Sequence, residues 1–250
     1  MIANERYINI LELVNQKGSI TINEIIDLLN ISKSTVRRDL NILDKEKKLI
    51  KVHGGAISNN SFHSIKEQSL KDKKMVNQPE KRLIAQKSSS LINSGDCVYI
   101  DSGTTTYQMA TLIKEKNAIY ITNSISIAKA LLDKGFDTFM IGGKIKKNTE
   151  AIVGSFAKES IEKFNFSIGF FGTNGICLKN GYTTPDIEEA YIKQTALSKC
   201  RQAFILCDSS KFNLTFSTTF ARLSEACIVT NKVDNDFIKG LKKETKVLEV

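Results

Sequence analysis

The sequence predicts an α/β protein in two parts, and two patterns support this prediction. Residues 1–57 contain amphipathic helical segments followed by a short stretch that alternates polar and apolar residues. Beyond Gly95, short apolar runs alternate with helical stretches, which is typical of a mainly parallel sheet covered by helices on both faces. We expect a small domain over residues 1–57, a linker over residues 58–78 and a larger domain over residues 79–250.

The composition favours a polyanionic partner. The chain has 250 residues and a formal net charge of +9, from 36 Lys and Arg against 27 Asp and Glu. Its five cysteines are widely spaced and follow neither CxxC nor Cys/His metal spacing, which indicates reduced core residues and no metal. Neither a long apolar span nor a signal-peptide pattern occurs, so we expect a cytoplasmic protein without membrane contact.

Helix-start signals place the first elements. Apolar residues at helical spacing between Tyr7 and Val14 predict a helix that ends near Gly18. Thr21 and Glu24 have the spacing of a capping box, in which each side chain satisfies the backbone amide of the other residue. A third helix follows after a short turn, with Ser32 placed to cap it.

This third helix, which we predict from Ser32 to Leu43, has two faces with different chemistry. Val36, Leu40 and Leu43 recur at helical spacing and are expected to pack inward. An ordinary surface helix also has a charged outer face, but two capped helices joined by a tight turn favour a helix-turn-helix that binds double-stranded DNA. The outer face is polar and cationic, suited to phosphates and base edges, and consists of Lys33, Ser34, Thr35, Arg37, Arg38 and Asn41.

After the third helix, the sequence predicts a two-stranded wing and then the linker between the two domains. Residues 49–57 alternate in polarity and turn at Gly54 and Gly55, which is typical of a two-stranded wing. His53 in this stretch is a candidate phosphate contact, with a solvent-facing wing residue as the alternative. In the linker we interpret Lys66, Lys71, Lys73 and Lys74 as solvated surface rather than as a contribution to DNA attraction. Pro79 then opens a helix that reaches about Ile92.

In the larger domain, the apolar runs predict six buried strands separated by helices. We expect a Rossmann-like arrangement, in which ligands bind at the carboxyl ends of the strands. The predicted strands cover residues 97–100, 118–121, 138–141, 168–171, 204–206 and 227–229, and the helices between them cover 107–113, 125–132, 157–164 and 188–198.

Three successive strands end in small or hydroxyl-bearing residues, which predicts an anion or sugar-phosphate pocket. Turn chemistry is the alternative, above all for the paired glycines. Neither GxGxxG nor GxxxxGK[ST] occurs, so we expect neither a dinucleotide nor a nucleoside triphosphate, and no cofactor. The candidate effector-binding residues at these ends are Asp101, Ser102, Gly103, Thr104, Thr105, Thr106, Thr122, Asn123, Ser124, Gly142 and Gly143.

Four charged residues further along complete the predicted pocket. Lys193 and Lys211 are candidates to neutralise a phosphate, and Glu188 and Asp208 are candidates to accept from sugar hydroxyls. For Lys193, an intrahelical pair with Glu189 four residues earlier is an equal alternative.

Both halves resemble the DeoR family of bacterial transcriptional regulators. The motifs that carry the resemblance are Thr35 to Leu40, Val52 to Ala56, Asp101 to Thr106, Thr122 to Ser124, Gly142 and Gly143, Val153 and Gly154, and Asp208 to Phe212. The resemblance implies a winged helix-turn-helix joined to a sugar-phosphate-sensing domain related to ribose-5-phosphate isomerase. It also implies a homo-oligomeric repressor, a dimer or a tetramer, that a phosphorylated sugar releases from operator DNA.

Residues 181–190 are most similar to those of fructose-operon repressors of low-GC bacteria, for which the implied effector is fructose 1-phosphate. Lactose repressors that respond to tagatose 6-phosphate are the nearest alternative. One residue departs from the family pattern: Ser167 stands where many members carry Asp, and the lost carboxylate puts a sugar-hydroxyl contact or a buried polar partner in doubt. A sugar-phosphate isomerase with an appended DNA-binding domain is the alternative function. It requires a carboxylate base, for which Ser167 and Asn174 are unsuitable and Glu188 is the remaining candidate.

Overall fold

The computed structural model describes residues 3–17, 19–52, 54–58 and 70–250. The chain divides into two compact units, Met1–His63 and Ser64–Val250. The predicted linker falls largely on residues 59–69, outside the described residues, and so do Gly18, His53 and Lys66.

The N-terminal unit contains three helices and one small sheet. The helices are α1 (Ala3–Lys17), α2 (Ile22–Leu29) and α3 (Lys33–Lys45), and the strands are β1 (Ser19–Thr21), β2 (Leu49–Val52) and β3 (Gly55–Ser58). The antiparallel sheet has the order β1-β3-β2. It is three-stranded where the sequence predicted two strands, because β1 pairs with β3 and places Ile20 opposite Ala56 in the core.

The predicted helix starts are confirmed. The Thr21 hydroxyl accepts from the Glu24 amide at 3.2 Å, and the Glu24 carboxylate accepts from the Thr21 amide at 2.9 Å. Ser32 caps α3 through its hydroxyl, which accepts from the amide of Thr35 at 3.2 Å. These bonds satisfy amides that have no partner inside the helix, and so fix where α2 and α3 begin.

The C-terminal unit is built on a seven-stranded, fully parallel sheet, which confirms the predicted α/β class. Its strands are β4 (Cys97–Ile100), β5 (Ile119–Thr122), β6 (Thr138–Met140), β9 (Phe166–Gly172), β12 (Cys200–Leu206), β14 (Cys227–Thr230) and β15 (Val247–Glu249). The helices are α4 (Leu70–Met75), α5 (Gln78–Ser89), α6 (Thr104–Leu112), α7 (Ile125–Leu132), α8 (Ser155–Glu162), α9 (Ile187–Ser198) and α10 (Asp236–Glu244).

The strand order is β15-β14-β12-β9-β4-β5-β6, so the order reverses direction between β4 and β9. Crevices form at such reversals, because the connections from adjacent strands leave toward opposite sides. Two separate apolar cores cover the sheet. One contains Tyr99, Phe171 and Ile205, and the other contains Ile100, Phe170 and Leu206.

Two small sheets were not expected from the sequence. The antiparallel sheet β10-β11-β13 comprises Gly175–Cys177, Gly181–Thr184 and Thr218–Ala221. A two-stranded ribbon pairs β7 (Lys144–Ile145) with β8 (Ile152–Val153). The helix predicted from Pro79 ends at Ser89 instead of Ile92.

The cysteines differ in part from the prediction. All five are free thiols, but only Cys207 is buried, since the other four are partly accessible. In the part of the chain that the structure describes, no helix has the length and apolar character needed to span a membrane.

Candidate functional site

The N-terminal unit presents the predicted recognition face on α3. Val36, Leu40 and Leu43 are fully buried, which confirms the inward face. On the other face Arg37 and Arg38 are exposed. Of the remaining predicted DNA contacts, Lys33, Ser34 and Asn41 are exposed and Thr35 is half-buried. The structure therefore brings these six side chains to one helix, whereas His53 lies outside the described residues.

Contacts to the wing and to α1 set the position of α3. The Asn41 side-chain oxygen accepts from Lys51 Nζ at 2.6 Å, and the Asp44 carboxylate accepts from the Lys51 amide at 2.8 Å. On the buried side, Arg6 of α1 pairs with Asp39, which is 1% exposed. The hydrogen bond to Asp39 raises the pKa of Arg6 above its ordinary value. None of these partners of α3 was singled out from the sequence.

In the C-terminal unit, a cleft of about 790 Å³, partly open to solvent, lies at the carboxyl ends of β4, β9 and β12. This is the point at which the strand order reverses. Seven of the predicted effector-binding residues line the cleft, namely Ser102, Gly103, Thr104, Thr105, Lys193, Asp208 and Lys211.

The N-terminus of α6 forms one part of the cleft. Gly103 occupies the N-cap position and supplies no side-chain cap, so the first amides of the helix can bind an anion. The amide of Ser102 is held by the side-chain oxygen of Asn123 at 2.9 Å. Thr106, which is buried, donates its hydroxyl to the Gly103 carbonyl at 3.1 Å. Asn123 and Thr106 thus shape the loop, while Thr104 and Thr105 line the cleft.

Three lysines, Lys73, Lys81 and Lys211, form what we call the cationic wall of the cleft. Lys81 is only 4% exposed, and its ammonium donates to the Lys73 carbonyl at 2.5 Å. Burial lowers the pKa of Lys81, Asp208 opposes this shift, and the charges of Lys211 and Lys73 add to it. Asp208 and Glu80 are the carboxylates whose charges act on Lys81. Asp208 also accepts from the Asn77 side chain at 2.8 Å.

A second charged group, which we call the carboxylate wall, consists of Asp101, Asp186 and Glu189 with the ammonium groups of Lys146 and Lys193. Of these residues, Glu189 and Lys193 line the cleft. Lys193 pairs with Asp101 and donates to the Gly172 carbonyl at 3.2 Å. Lys146 lies 2.9 Å from both Asp186 and Glu189. The wall therefore holds three carboxyl groups against two ammonium groups.

The pKa values of the two buried carboxyl groups of this wall are shifted in opposite directions. Burial raises the pKa of Asp101, although Lys193 and the Gly172 amide oppose the shift. Its Oδ1 is buried with no hydrogen-bond partner among the residues that the structure describes. Burial would also raise the pKa of Glu189, but the charges of Lys193 and Lys146, with a 2.7 Å bond from the Thr149 hydroxyl, hold it below its ordinary value. Glu189 is thus a fixed negative charge in the cleft.

The structure places the other predicted pocket residues in different surroundings. The Thr122 hydroxyl donates to the Ile100 carbonyl at 2.6 Å, and Ser124 caps α7. Glu188 pairs with Lys144 at 3.1 Å and is 39% exposed. Gly143 approaches the backbone of Val153, since an added Cβ would lie 2.7 Å from its carbonyl oxygen, whereas a Cβ added at Gly142 would meet no atom within 4 Å. An effector-binding role for these residues, including Asn123, stays a prediction.

Ser167 lies at the amino end of β9, whereas the cleft is at the carboxyl end. Its hydroxyl donates to the Asp96 carboxylate at 2.6 Å and accepts from the Cys97 amide at 3.0 Å. The sequence-based concern that Ser167 removes a sugar-hydroxyl contact was therefore wrong about the location. The hydroxyl joins the starts of β4 and β9.

The sequence analysis missed several residues that line the cleft, namely Lys73, Val76, Lys81, Thr149, Thr173, Asn174 and Glu189. Lys73 was interpreted as solvated surface, and this was wrong because the residue is half-buried in the cleft wall. Thr173 and Asn174 directly follow β9, so the strand-end rule was sufficient to find them. Among the described residues, no group of three or more His, Cys, Asp or Glu is placed to hold a metal ion.

Comparison with known families covers most of the chain. Residues 6–62 match the family model described as the DeoR-like helix-turn-helix domain, and residues 76–232 match the model described as the DeoR C terminal sensor domain.

Two curated relatives align along nearly their whole length. The chain is 34% identical over 248 residues to "Uncharacterized HTH-type transcriptional regulator FruR" of Bacillus subtilis strain 168, covering 99% of the chain and 98% of the relative. It is 38% identical over 250 residues to the lactose phosphotransferase system repressor of Staphylococcus aureus, covering 98% and 99%.

Among solved structures, ribose 5-phosphate isomerase A of Methanocaldococcus jannaschii aligns with 54% of the chain and 55% of its own length. The identity is 12% and the TM-score is 0.40, a likeness too low to support a statement about activity.

Proposed function

The chain belongs to the DeoR family of transcriptional regulators, and on that premise we propose that it represses a sugar-utilisation operon. In this proposal α3 reads the operator, and a phosphorylated sugar in the cleft of the C-terminal unit releases the protein from DNA. Release requires that the effector bind one conformation more tightly than the DNA-competent one. Symmetric operators favour a homo-oligomer with an even number of subunits, a dimer or a tetramer.

The observation that carries the effector assignment is the buried ammonium of Lys81 in the cleft wall. Lys81 is 4% exposed, and the charges of Lys211 and Lys73 disfavour its ammonium form while those of Asp208 and Glu80 favour it, so a bound anion would lower the cost of burying this charge. A phosphate group supplies the opposite charge and accepts hydrogen bonds from ammonium groups, helix amides and threonine hydroxyls. Lys81, Lys211 and the start of α6 offer these three kinds of donor on one cleft.

We propose fructose 1-phosphate as the effector, with tagatose 6-phosphate as the alternative. The relative from Bacillus subtilis, named FruR, and the lactose phosphotransferase system repressor from Staphylococcus aureus are 34% and 38% identical to this chain. These identities favour neither sugar decisively, so the choice of fructose 1-phosphate rests on the resemblance of residues 181–190.

We propose that the protein does not catalyse sugar isomerisation and needs no cofactor. A base that moves a proton between adjacent carbons works best with a pKa near the working pH, whereas the pKa of Glu189 is held below its ordinary value. Burial raises the pKa of Asp101, but this residue is paired with Lys193 and does not line the cleft. Glu188, the base considered from the sequence, does not line the cleft. A turnover assay with pentose and hexose phosphates tests this point, and saturable activity that is lost in Glu188→Gln or Glu189→Gln would establish the isomerase instead.

The proposed function is tested by thermal unfolding of the full chain with a panel of sugar phosphates, inorganic phosphate and the unphosphorylated sugars. A ligand that binds only the folded state raises the unfolding temperature by mass action. We expect a shift with fructose 1-phosphate that exceeds the shift with inorganic phosphate, and release of a labelled operator fragment at the same concentrations. A protein that no sugar phosphate stabilises, or one that is stabilised but stays on DNA, would contradict the effector mechanism.

A further inference from the structure

We propose that Asn174 donates a hydrogen bond from its side-chain amide to an oxygen of the bound effector, and that Thr184 orients this amide. Asn174 is half-buried and lines the cleft, whereas Thr184 is fully buried and does not line it. The inference rests on the proposed function of the cleft as a sugar-phosphate site. It adds a neutral donor to the lysines and helix amides already assigned to the phosphate.

The contact between Thr184 and Asn174 shows which end of the amide is available. The Thr184 hydroxyl donates to Asn174 Oδ1 at 3.1 Å. A side-chain amide has an oxygen that accepts and a nitrogen that donates two hydrogens. The nitrogen, Nδ2, makes no hydrogen bond to any residue that the structure describes. Because the oxygen is occupied by a buried hydroxyl, Nδ2 is the polar group of this side chain that a ligand can meet.

The burial of Thr184 favours this orientation of the amide over the reverse one. Thr184 is 0% exposed, so its hydroxyl needs an acceptor inside the protein. Among the described residues, Asn174 Oδ1 is that acceptor. Turning the amide by 180° would leave the hydroxyl hydrogen without a partner, and an unsatisfied buried donor costs about 1–3 kcal/mol. Thr184 therefore keeps Nδ2 directed away from itself.

The backbone of Asn174 is held by the same strand as its side chain. The Asn174 amide donates to the Thr183 carbonyl at 3.1 Å, and the Thr173 hydroxyl donates to that carbonyl at 3.2 Å. Thr183 and Thr184 end β11, which pairs with β13 through Thr218. The small sheet that the sequence did not predict thus supports a cleft residue. A donor that is fixed before binding loses little conformational freedom when the ligand arrives.

An oriented amide offers the ligand something that the other polar groups of the cleft do not. Serine and threonine hydroxyls can turn to donate or to accept, and lysines donate with a full positive charge. Among the described residues that line the cleft, Asn174 is the one side-chain amide, and its Nδ2 offers hydrogens only. Its partner must be an acceptor, which is either a phosphate oxygen or an oxygen of the sugar.

The test is isothermal titration of the full chain with fructose 1-phosphate, tagatose 6-phosphate and inorganic phosphate. Thr184→Val keeps the methyl group and removes the hydroxyl, so we expect about fivefold weaker binding of the sugar phosphate that the native protein prefers. Thr184→Ser keeps the hydroxyl and is expected to bind as the native protein does. A merely structural role, in which the Thr184 methyl packs against its neighbours, predicts the reverse order of the two variants.

Asn174→Leu removes the donor without adding a charge and does not depend on the folding of Thr184→Val. We expect about tenfold weaker binding in this variant. Adding Thr184→Val to Asn174→Leu should cause no further loss, because Thr184 acts through the amide. Thr219→Val on β13 is the matched control: the Thr219 hydroxyl donates to the Asn180 carbonyl at 3.0 Å, and the residue does not line the cleft.

The titration with inorganic phosphate identifies the acceptor. An equal loss for phosphate and for the sugar phosphate in Asn174→Leu would assign the contact to a phosphate oxygen, and a loss confined to the sugar phosphate would assign it to the sugar. Unchanged affinity in both Asn174→Leu and Thr184→Val would overturn the proposal. Losses that add in the double variant would overturn the positioning role of Thr184. Native protein that binds none of the three ligands would instead contradict the proposed function itself.

Discussion

Arg6 and Asp39 join two helices of the N-terminal unit through a buried ion pair. The guanidinium of Arg6 in α1 donates to both carboxylate oxygens of Asp39 in α3, from Nη2 at 3.0 Å and from Nε at 2.5 Å. Asp39 is 1% exposed and lies on the opposite side of α3 from the predicted DNA contacts. The pair therefore holds α3 in place on its buried side, away from the predicted DNA contacts.

Arg6→Ala is expected to destabilise the N-terminal unit by about 3 kcal/mol, because it leaves a buried carboxylate without its partner. Hydrogen–deuterium exchange of residues 3–17 and 33–45 measures this loss in the full chain. Arg37→Ala is the control, because Arg37 is exposed on the same helix and its removal is expected to change stability by less than about 0.5 kcal/mol. Equal exchange rates in the two variants would show that the pair contributes little.

Arg37→Ala and Arg38→Ala are each expected to weaken operator binding by about 1–3 kcal/mol, which is the usual worth of a specific base contact. Effector affinity should not change, since the substitutions lie in the other unit. Fluorescence anisotropy with a labelled operator measures the loss. Lys158→Ala, which removes an exposed charge of the C-terminal unit, serves as the charge control. Unchanged DNA affinity in both arginine variants would show that α3 is not the recognition helix.

Lys211→Ala and Thr104→Ala are expected to keep the protein on DNA at effector concentrations that release the native protein. Each removes a donor from the cleft, and the loss of a hydrogen bond to a charged group costs about 1.5–3 kcal/mol. Operator release titrated with fructose 1-phosphate measures the effect. Lys239→Ala on α10 removes an exposed lysine and should release normally. Normal release in the two cleft variants would mean that the phosphate binds elsewhere.

Glu189 is expected to stabilise the C-terminal unit near neutral pH and to lose this contribution at acidic pH. The pKa of Glu189 is lower in the folded protein than its unfolded value of about 4.3. A depressed pKa stabilises the fold above the unfolded value, and this contribution disappears as the pH falls through the folded value. The difference in unfolding free energy between native protein and Glu189→Gln should therefore be largest near pH 7 and shrink below about pH 4. A difference that stays constant with pH would argue against the depressed value.

Gly143→Ala is expected to destabilise the C-terminal unit by about 1–3 kcal/mol. Gly143 has φ +152°, and an added Cβ would lie 2.7 Å from the Val153 carbonyl oxygen. Gly142→Ala meets no atom within 4 Å and should be nearly neutral. Thermal unfolding compares the two, and effector titration of the folded Gly142→Ala variant tests the predicted role of that glycine in binding. Equal stability of the two variants would contradict the close approach.

Much of the fold was predictable because its signals are local. The capping box at Thr21 and Glu24 and the inward face of α3 depend on residues within one or two helical turns. Six of the seven parallel strands were predicted from apolar runs. The seventh, β15, is a half-exposed strand of three residues, which gives too short a signal. The strands of the smaller sheets have two to four residues and contain Lys and Thr, and their pairing depends on distant partners.

The cleft was predictable only in part. The residues from Ser102 to Thr105 were found because a strand leads directly into a helix there. Lys81 was missed because its burial depends on α4 and on the turn that contains Asp208, far away in sequence. The sequence analysis predicted Glu188 as a pocket residue, whereas the structure shows that its neighbour Glu189 lines the cleft. Successive residues of a helix differ by about 100° in direction, and the sequence does not fix the rotation of α9.

The start of α6 has no side-chain cap, so the stability of this helix and its ability to bind a phosphate place opposite demands on position 103. Gly103 has φ 174°, an extended backbone that any residue adopts, but an added Cβ would lie 3.0 Å from the Thr106 hydroxyl oxygen. Where Thr106 shifts to make room, a Ser or Asp at position 103 would cap the helix and gain a few tenths of a kcal/mol. The same side chain would occupy the amides that an incoming phosphate uses. Selection for heat resistance alone is therefore expected to enrich substitutions at position 103 that raise the unfolding temperature of the protein and abolish its binding of the effector.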